Sequence, residues 1–231
     1  MVAAVIAAAG SGDRLGGSEP KALVELAGRP LAAWSIAALA ASSAIDRLVI
    51  AAPSGFESRL EALLAETAPA LESEVVTGGS SRSRSVAAGL ERIGDASVVV
   101  VHDAARPLVT PELVERCVAQ LERWGCDAAI AAARTTDTIK EADAGGRVSA
   151  TLERSALWAV QTPQVFRGEA IRRALAPPAT VGAELDRAYD DAQLVEAVGG
   201  DVRIVEAPRD NLKVTSEFDL RVAELLLAQR V

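Results

Sequence analysis

The chain has 231 residues, half of them hydrophobic and 24% charged, enough to bury a substantial core as one large domain. A formal net charge of −8 argues against nucleic acid as a partner, because phosphate backbones are gripped by basic surfaces. No stretch approaches the ~20 unbroken apolar residues of a membrane-spanning helix, so no membrane is expected either.

The opening run, residues 2–9, reads as a fully buried parallel strand. It has neither the basic flank nor the cleavage pattern of a signal peptide. It empties into a loop that carries Gly10, Gly12 and Arg14, followed by Pro20-Lys21. Glycines let backbone N–H groups close on an anion, and Arg14 and Lys21 add fixed positive charge. Neither common phosphate cradle fits. A Walker loop needs Gly-Lys before Ser or Thr, whereas Lys21 follows Pro20 and precedes Ala22. A dinucleotide fingerprint needs a small residue where Leu15 stands and an acid where the second strand runs into Pro53. A glycine-rich turn without chemistry stays open as the plainer reading.

Further strand-like runs at 47–52, 74–77, 97–101 and 127–133 alternate with helical patterns at 31–41, 57–66, 83–93 and 111–124. Thr110 and Pro111 mark a helix start, and Gly125 its stop. This alternation predicts an α/β fold: a Rossmann-like, mostly parallel sheet with helices on both faces and ligands at the carboxyl ends of its strands. Cys117 and Cys126 read as small buried thiols in a reducing cytoplasm.

The polar stretches follow strands. Gly78 to Ser85 forms either an anion or base-edge site at a helix start, or simply a well-capped helix. In His102-Asp103-Ala104-Ala105-Arg106, Asp103 stands at the ligand edge, where one carboxylate suits Mg²⁺ shared with phosphate. A structural Asp103–Arg106 pair is the alternative. His102, the only histidine, reads as a satisfied core residue.

Residues 134–160 break the rhythm. Thr135, Thr136, Thr138 and Ile139, then the turn signal Ala144-Gly145-Gly146 and the run 148–152, predict a protruding hairpin. A hairpin of this length is marginal alone, so a second copy of the chain is expected to cover it, giving a homodimer. Arg154 lies at its base, and Gln161-Thr162-Pro163-Gln164 reads as a turn facing a ligand. Asp190-Asp191 reads as the acidic first turn of a helix at 188–198. A strand at 202–205 leads to Asp210-Asn211-Leu212-Lys213, with Lys213 a further phosphate ligand, and a helix at 217–229 closes the chain.

Jointly these loops place at least five cations and two carboxylates at one edge, which suits a reaction between two phosphates: attack on a nucleotide α-phosphorus with pyrophosphate leaving. Such chemistry needs fixed charge and proximity more than covalent help. A phosphate nucleophile is already ionised at neutral pH, so no general base is required.

The motifs Ala8 to Arg14, Pro20-Lys21, Gly78-Gly79 with Arg82 and Ser85, His102 to Pro107, Asp137-Thr138, Leu157-Trp158, Thr162 to Gln164 and Asp210-Asn211 with Lys213 run almost the length of the chain. In this order they resemble the 2-C-methyl-D-erythritol 4-phosphate cytidylyltransferase family of the non-mevalonate isoprenoid pathway. The resemblance implies a single nucleotidyltransferase domain, 1–231, with a β-arm at 134–157, and CTP and 2-C-methyl-D-erythritol 4-phosphate as substrates. Arg14, Lys21, Arg154 and Lys213 would be its catalytic cations. Ala8, Ala9, Gly10, Gly12, Gly79, Ser80, Ser85, Asp103 and Ala104 would hold the cytidine nucleotide, with Asp103 also on Mg²⁺. Arg106, Asp137, Thr138, Arg154, Thr162, Asp210 and Lys213 would serve the sugar phosphate, Thr138 and Arg154 reaching it from a partner subunit. Two departures stand out: Tyr189 where relatives commonly have Thr, and Arg84 where an acid is frequent. The same chemistry on another polyol phosphate, such as ribitol 5-phosphate, and a non-catalytic nucleotide-binding regulator are the competing readings.

Overall fold

The computed structural model describes residues 1–10, 19–176 and 188–230. Its sheet is built on runs of small and branched apolar residues. In β1 (Val2–Ala7), Ala3 and Val5 face one side of the sheet and Ala4 and Ile6 the other, all wholly buried. A strand buried on both faces must be covered on both, and two layers of helices do this.

Among the described residues the main sheet has seven strands, in the order β11-β7-β10-β6-β1-β4-β5. These are β4 (Arg47–Ala52), β5 (Glu72–Thr77), β6 (Val98–Asp103), β7 (Ala128–Arg134), β10 (Trp158–Arg167) and β11 (Val202–Glu206) beside β1. All pair in parallel except β10, which runs antiparallel to both β6 and β7. The short strands β2 (Glu25–Leu26) and β3 (Arg29–Pro30) form a separate ribbon.

One face carries α1 (Leu31–Ala40), α2 (Glu57–Thr67) and α4 (Pro111–Trp124), whose Ile36, Leu60 and Val114 pack with Ala4, Ile6 and Val100. The other carries α3 (Arg82–Arg92), α5 (Gly168–Leu175) and α6 (Asp191–Ala197), whose Val86, Ile171 and Val195 pack with Val5, Val99 and Phe166. The last helix, α7 (Glu217–Ala228), closes a smaller cluster with Leu26, Leu31, Leu108 and Val214. The helix ends follow the sequence signals. Thr110 Oγ1 accepts from the Leu113 N–H, and Gly125 takes a left-handed φ of 64° that ends α4. Gly89 lets α3 lie directly on β1, for a Cβ there would stand 2.5 Å from Val5 Cγ1.

β10 departs from the sequence reading. Gln161 to Gln164 form no turn; they lie inside this strand. Proline has no N–H for the ladder, and the strand accommodates it by bulging. Val160 pairs with Ala132 and Gln164 with Ile130, so Gln161, Thr162 and Pro163 together oppose Ala131.

Residues 135–157 leave the sheet between β7 and β10. Within them β8 (Lys140–Ala142) and β9 (Val148–Thr151) pair antiparallel, with Asp143 Oδ1 accepting from the N–H groups of Gly145 and Arg147 in the turn. Thr135, Thr136 and Thr138 precede the ladder and do not join it. The base is clamped by Arg134, whose guanidinium lies 4.3 Å over the Trp158 ring. No helix among the described residues is long and apolar enough to cross a membrane.

Candidate active site

The strand order reverses at β1: the chain moves to β4 and β5 on one side, then returns to β6 on the other. Such a switch point opens a crevice at the carboxyl ends of the two central strands. Ala7 of β1 is in register with Asp103 of β6, and there a cavity of about 620 Å³ opens. Ala8, Ala9, Gly10, Lys21, Gly79, Ser80, Ser85, Asp103, Ala104 and Lys213 all line it. A smaller cavity of about 200 Å³ adjoins it, lined in part by Arg106, Thr162, Gln164 and Tyr189. Arg82, Asp103 and Lys213 border both cavities.

The first wall is the start of α3. Ser81 caps the helix, and Ser85 Oγ accepts from the Gly79 N–H at 3.1 Å while donating to Ser81 O at 2.9 Å. These bonds fold the backbone of Gly78 and Gly79 over the helix N-terminus, whose partial positive charge favours an anion or the polar edge of a base. Side chains are excluded here: a Cβ on Gly78 would stand 2.5 Å from Ala9 Cβ, and one on Gly79 would stand 2.9 Å from the Arg84 carbonyl carbon.

The second wall is the end of β6. The Ala104 N–H donates to Ala7 O and the Arg106 N–H to Asp103 O, so the chain turns tightly after Asp103. Asp103 Oδ1 accepts from Arg82 Nε at 2.8 Å and Oδ2 from Lys213 Nζ at 2.7 Å. Arg82 Nη1 reaches on to Asp191 Oδ2 at 2.5 Å. Burial opposes the charge on Asp103, but Arg82 and then Lys213 overcome it and hold this carboxyl far below the usual range. For Asp191 burial wins, and its pKa is raised despite Arg82. Burial also weighs against the Arg82 cation, yet its two carboxylates more than compensate.

The β10 bulge supplies the third wall. It turns Thr162 towards β6, so that its hydroxyl accepts from the Asp103 N–H at 3.0 Å and lies 3.0 Å from His102 Nδ1. Asn211 Nδ2 donates to Gln161 Oε1 and to Thr162 O, and the Val214 N–H donates to Ala105 O, which brings Lys213 over Asp103. Arg106 does not pair with Asp103. Its Nη1 and Nη2 donate to the carbonyls of Asn211 and Val160, tying the loop after β11 to the bulge. His102 is wholly buried with both ring nitrogens engaged, the second lying 3.2 Å from Arg106 O.

A family profile described as IspD: 2-C-methyl-D-erythritol 4-phosphate cytidylyltransferase matches residues 2–229. The chain belongs to the 2-C-methyl-D-erythritol 4-phosphate cytidylyltransferase family. It is 42% identical to the protein of that name from Synechococcus elongatus, over 98% of this chain and 96% of that one. The Rhodococcus jostii protein of the same name is 43% identical, over 99% and 96%. The crystal structure of the Thermus thermophilus cytidylyltransferase superposes with a TM-score of 0.76 at 34% identity, covering 99% of this chain and 98% of that one.

Not every residue expected at a cytidylyltransferase site is gathered here. Gly12 and Arg14 lie outside the described residues. Asp137, Thr138 and Arg154 are exposed on the segment between β7 and β10, and Arg154 Nη1 donates to Thr136 O. None of the three lines either cavity. Asp210 faces away, its Oδ2 accepting from Arg230 Nη2 at 3.1 Å. In the other direction, the Arg82–Asp191 pair was invisible to spacing arguments because the two residues are 109 positions apart. Of the pair read from sequence as the acidic first turn of a helix, Asp190 is the cap of α6, and Asp191 lies in its first turn but is wholly buried.

Proposed function

We propose that this chain transfers CMP from CTP to 2-C-methyl-D-erythritol 4-phosphate, releasing pyrophosphate and forming 4-diphosphocytidyl-2-C-methyl-D-erythritol. Family membership supports the reaction. The observation that carries the assignment of residues is the pair of adjoining cavities that share Asp103, Arg82 and Lys213.

The larger cavity takes the nucleotide. Gly79, Ser80 and Ser85 meet the base through backbone and hydroxyl groups, Ala8 to Gly10 and Ala104 pack on the nucleoside, and Lys21 with Arg14 contacts the triphosphate. The smaller takes the sugar phosphate, which Arg106 and Lys213 hold while Thr162 keeps the bulge in place. An oxygen of the acceptor phosphate attacks the α-phosphorus, a P–O bond forms, and the bond to the β-phosphate oxygen breaks. No proton need be removed from the nucleophile, which leaves His102 outside the chemistry. Negative charge grows on the crowded phosphorus, and fixed cations meet it there.

Asp103 is the one carboxylate among the described residues that lines the larger cavity, beside the positions where phosphates would lie. One carboxylate with phosphate oxygens is the donor set that Mg²⁺ accepts, so Asp103 fits as its protein ligand. When bound, Mg²⁺ would neutralise charge on the triphosphate. Lys213 Nζ is part-exposed on a flexible stem, so it can leave Asp103 for the acceptor phosphate.

The β8–β9 segment is proposed as an arm through which two copies pair, bringing Thr138, Asp137 and Arg154 of one to the acceptor site of the other. Exposed Ile139, Val148 and Leu152 support this reading. The free, buried thiols of Cys117 and Cys126 support a cytoplasmic setting. Pyrophosphate release from CTP should require methylerythritol phosphate and Mg²⁺, with ribitol 5-phosphate a poor acceptor. Equal rates with both acceptors would refute the acceptor assignment. Mixing Arg154→Ala with Lys213→Ala protein should restore part of the activity of a shared site, and no recovery in any mixture would refute the arm.

A further inference from the structure

Arg82 serves two acids. Its Nε is bound to Asp103 Oδ1 and its Nη1 to Asp191 Oδ2. A guanidinium that faced Asp103 alone could close both prongs on it as a bidentate pair and neutralise it. Asp191 withholds one prong. It is also held where a free acid would not stay. Its side chain is wholly buried, and its Oδ1 has no protein hydrogen-bond partner among the described residues. Gln164 fixes the turn around it, its Nε2 donating to Asp190 Oδ2 at 3.1 Å and its Oε1 accepting from the Ala192 N–H at 3.3 Å. Burying a carboxylate with so few partners is destabilising by itself, and Arg82 would need only Asp103 to be paired.

The charge count gives this second acid a use. With Asp191 ionised in its ion pair with Arg82, the four groups Arg82, Lys213, Asp103 and Asp191 together carry no net charge. Once Lys213 has moved to a phosphate, the remaining three carry −1, and that charge is presented at the cavity by Asp103. Without Asp191 the remainder would be neutral, a poor seat for a divalent cation. We infer that Asp191 is a positioning residue for the metal: by sharing Arg82, it leaves the charge on Asp103 only partly compensated and so able to bind Mg²⁺ with the nucleotide.

This inference rests on the reading of Asp103 as the metal's protein ligand, and the test separates the two. Calorimetry would measure CTP affinity with and without Mg²⁺, no acceptor being present, so that no turnover occurs. The ratio of the two affinities is the metal gain, from which any direct effect of a variant on CTP cancels. Asp103→Asn should abolish the gain. Asp191→Asn should reduce it by about tenfold or more, since a full charge is lost near a divalent ion in a poorly solvated site. The double variant Arg82→Gln/Asp191→Asn, which restores the charge of −1, should return the gain to near the wild-type value.

An unchanged gain in Asp103→Asn, or no gain in the wild type, would remove the metal reading and this inference with it. A gain lost in Asp103→Asn but intact in Asp191→Asn would overturn the inference alone and leave Asp191 a structural partner of Arg82. Should Asp191→Asn not fold, Arg82→Gln decides instead. Its gain should be no smaller than wild type, and a smaller one would overturn the inference.

Discussion

Lowering the pH from 7.5 to 4.5 should remove more than 2 kcal/mol of folding stability through one residue, His102. Its ring is wholly buried between Thr162 and Arg106. The Arg106 carbonyl can only accept, so Nε2 carries the hydrogen and Nδ1 accepts from the Thr162 hydroxyl, which itself accepts from the Asp103 N–H. A second proton, on Nδ1, would face that hydroxyl and break the relay. Burial pushes the imidazole down from 6.5 to about 4, the adjacent Asp103 opposing only in part. The unfolded chain therefore takes up a proton near pH 6.5 that the folded chain refuses until about pH 4. Stability is intact above the first value and falls as the pH drops towards the second. The full difference is about 3 kcal/mol, of which roughly 2.5 kcal/mol is lost by pH ~4.5. Because this is the only histidine, His102→Gln isolates the effect. Urea unfolding followed by tryptophan fluorescence should show the wild type losing about 2.5 kcal/mol more than the variant between pH ~7.5 and ~4.5. Parallel losses in the two proteins would refute the buried, neutral histidine.

Thr162→Val strips the Asp103 N–H and His102 Nδ1 of their shared partner and should cost about 2 kcal/mol or more, with Thr162→Ser restoring most of it in the same unfolding assay. Gly78→Ala places a methyl 2.5 Å from Ala9 Cβ and 3.0 Å from Ala52 O, so calorimetry should find CTP binding weakened and unfolding should find a loss of about 1–3 kcal/mol. Lys213→Met should raise the acceptor KM and lower kcat while stability stays within about 1 kcal/mol, because the ammonium is part-exposed and water can take its place on Asp103. Native protein should resist iodoacetamide at pH 8 and take up two labels in urea, for both thiols are buried and burial pushes Cys117 up to about 12; rapid labelling of the native state would contradict this.

The elements that were legible in the sequence are those whose neighbours scarcely matter. The parallel strands β1, β4, β6 and β7 are built on runs of Val, Leu, Ile and Ala that no half-exposed element would tolerate, and α4 carries its own start and stop in Thr110, Pro111 and Gly125. Asp103 could be placed at the ligand edge because it ends such a run, and Gly79 because it comes directly after the shorter strand pattern of β5. β10 was not legible, since Pro163 and its polar neighbours are turn residues by every local preference. Only the paired residues that flank them, Trp158 to Val160 on β7 and Gln164 onwards on both β6 and β7, carry them through as a bulge within a strand. Arg82 and Asp191 failed for a different reason. Nothing near Asp191 distinguishes a buried counter-charge from a solvated first-turn acid, and the residue that defines its role arrives from another helix. Asp210 was grouped with Lys213 by adjacency, whereas the two side chains pair with different residues, Arg230 and Asp103.

The reversal of β10 also governs where this fold can grow. Antiparallel neighbours begin and end their connection at one rim of a sheet, so β7 can pass to β10 without crossing a face. A few residues would close that link, and the remainder of residues 135–157 is surplus as far as the sheet is concerned. It emerges beside the carboxyl end of β6, the rim where Asp103 stands. Insertions, deletions or wholesale replacement there would leave every strand in register. That stretch is therefore free to change in length and sequence on terms the core does not police.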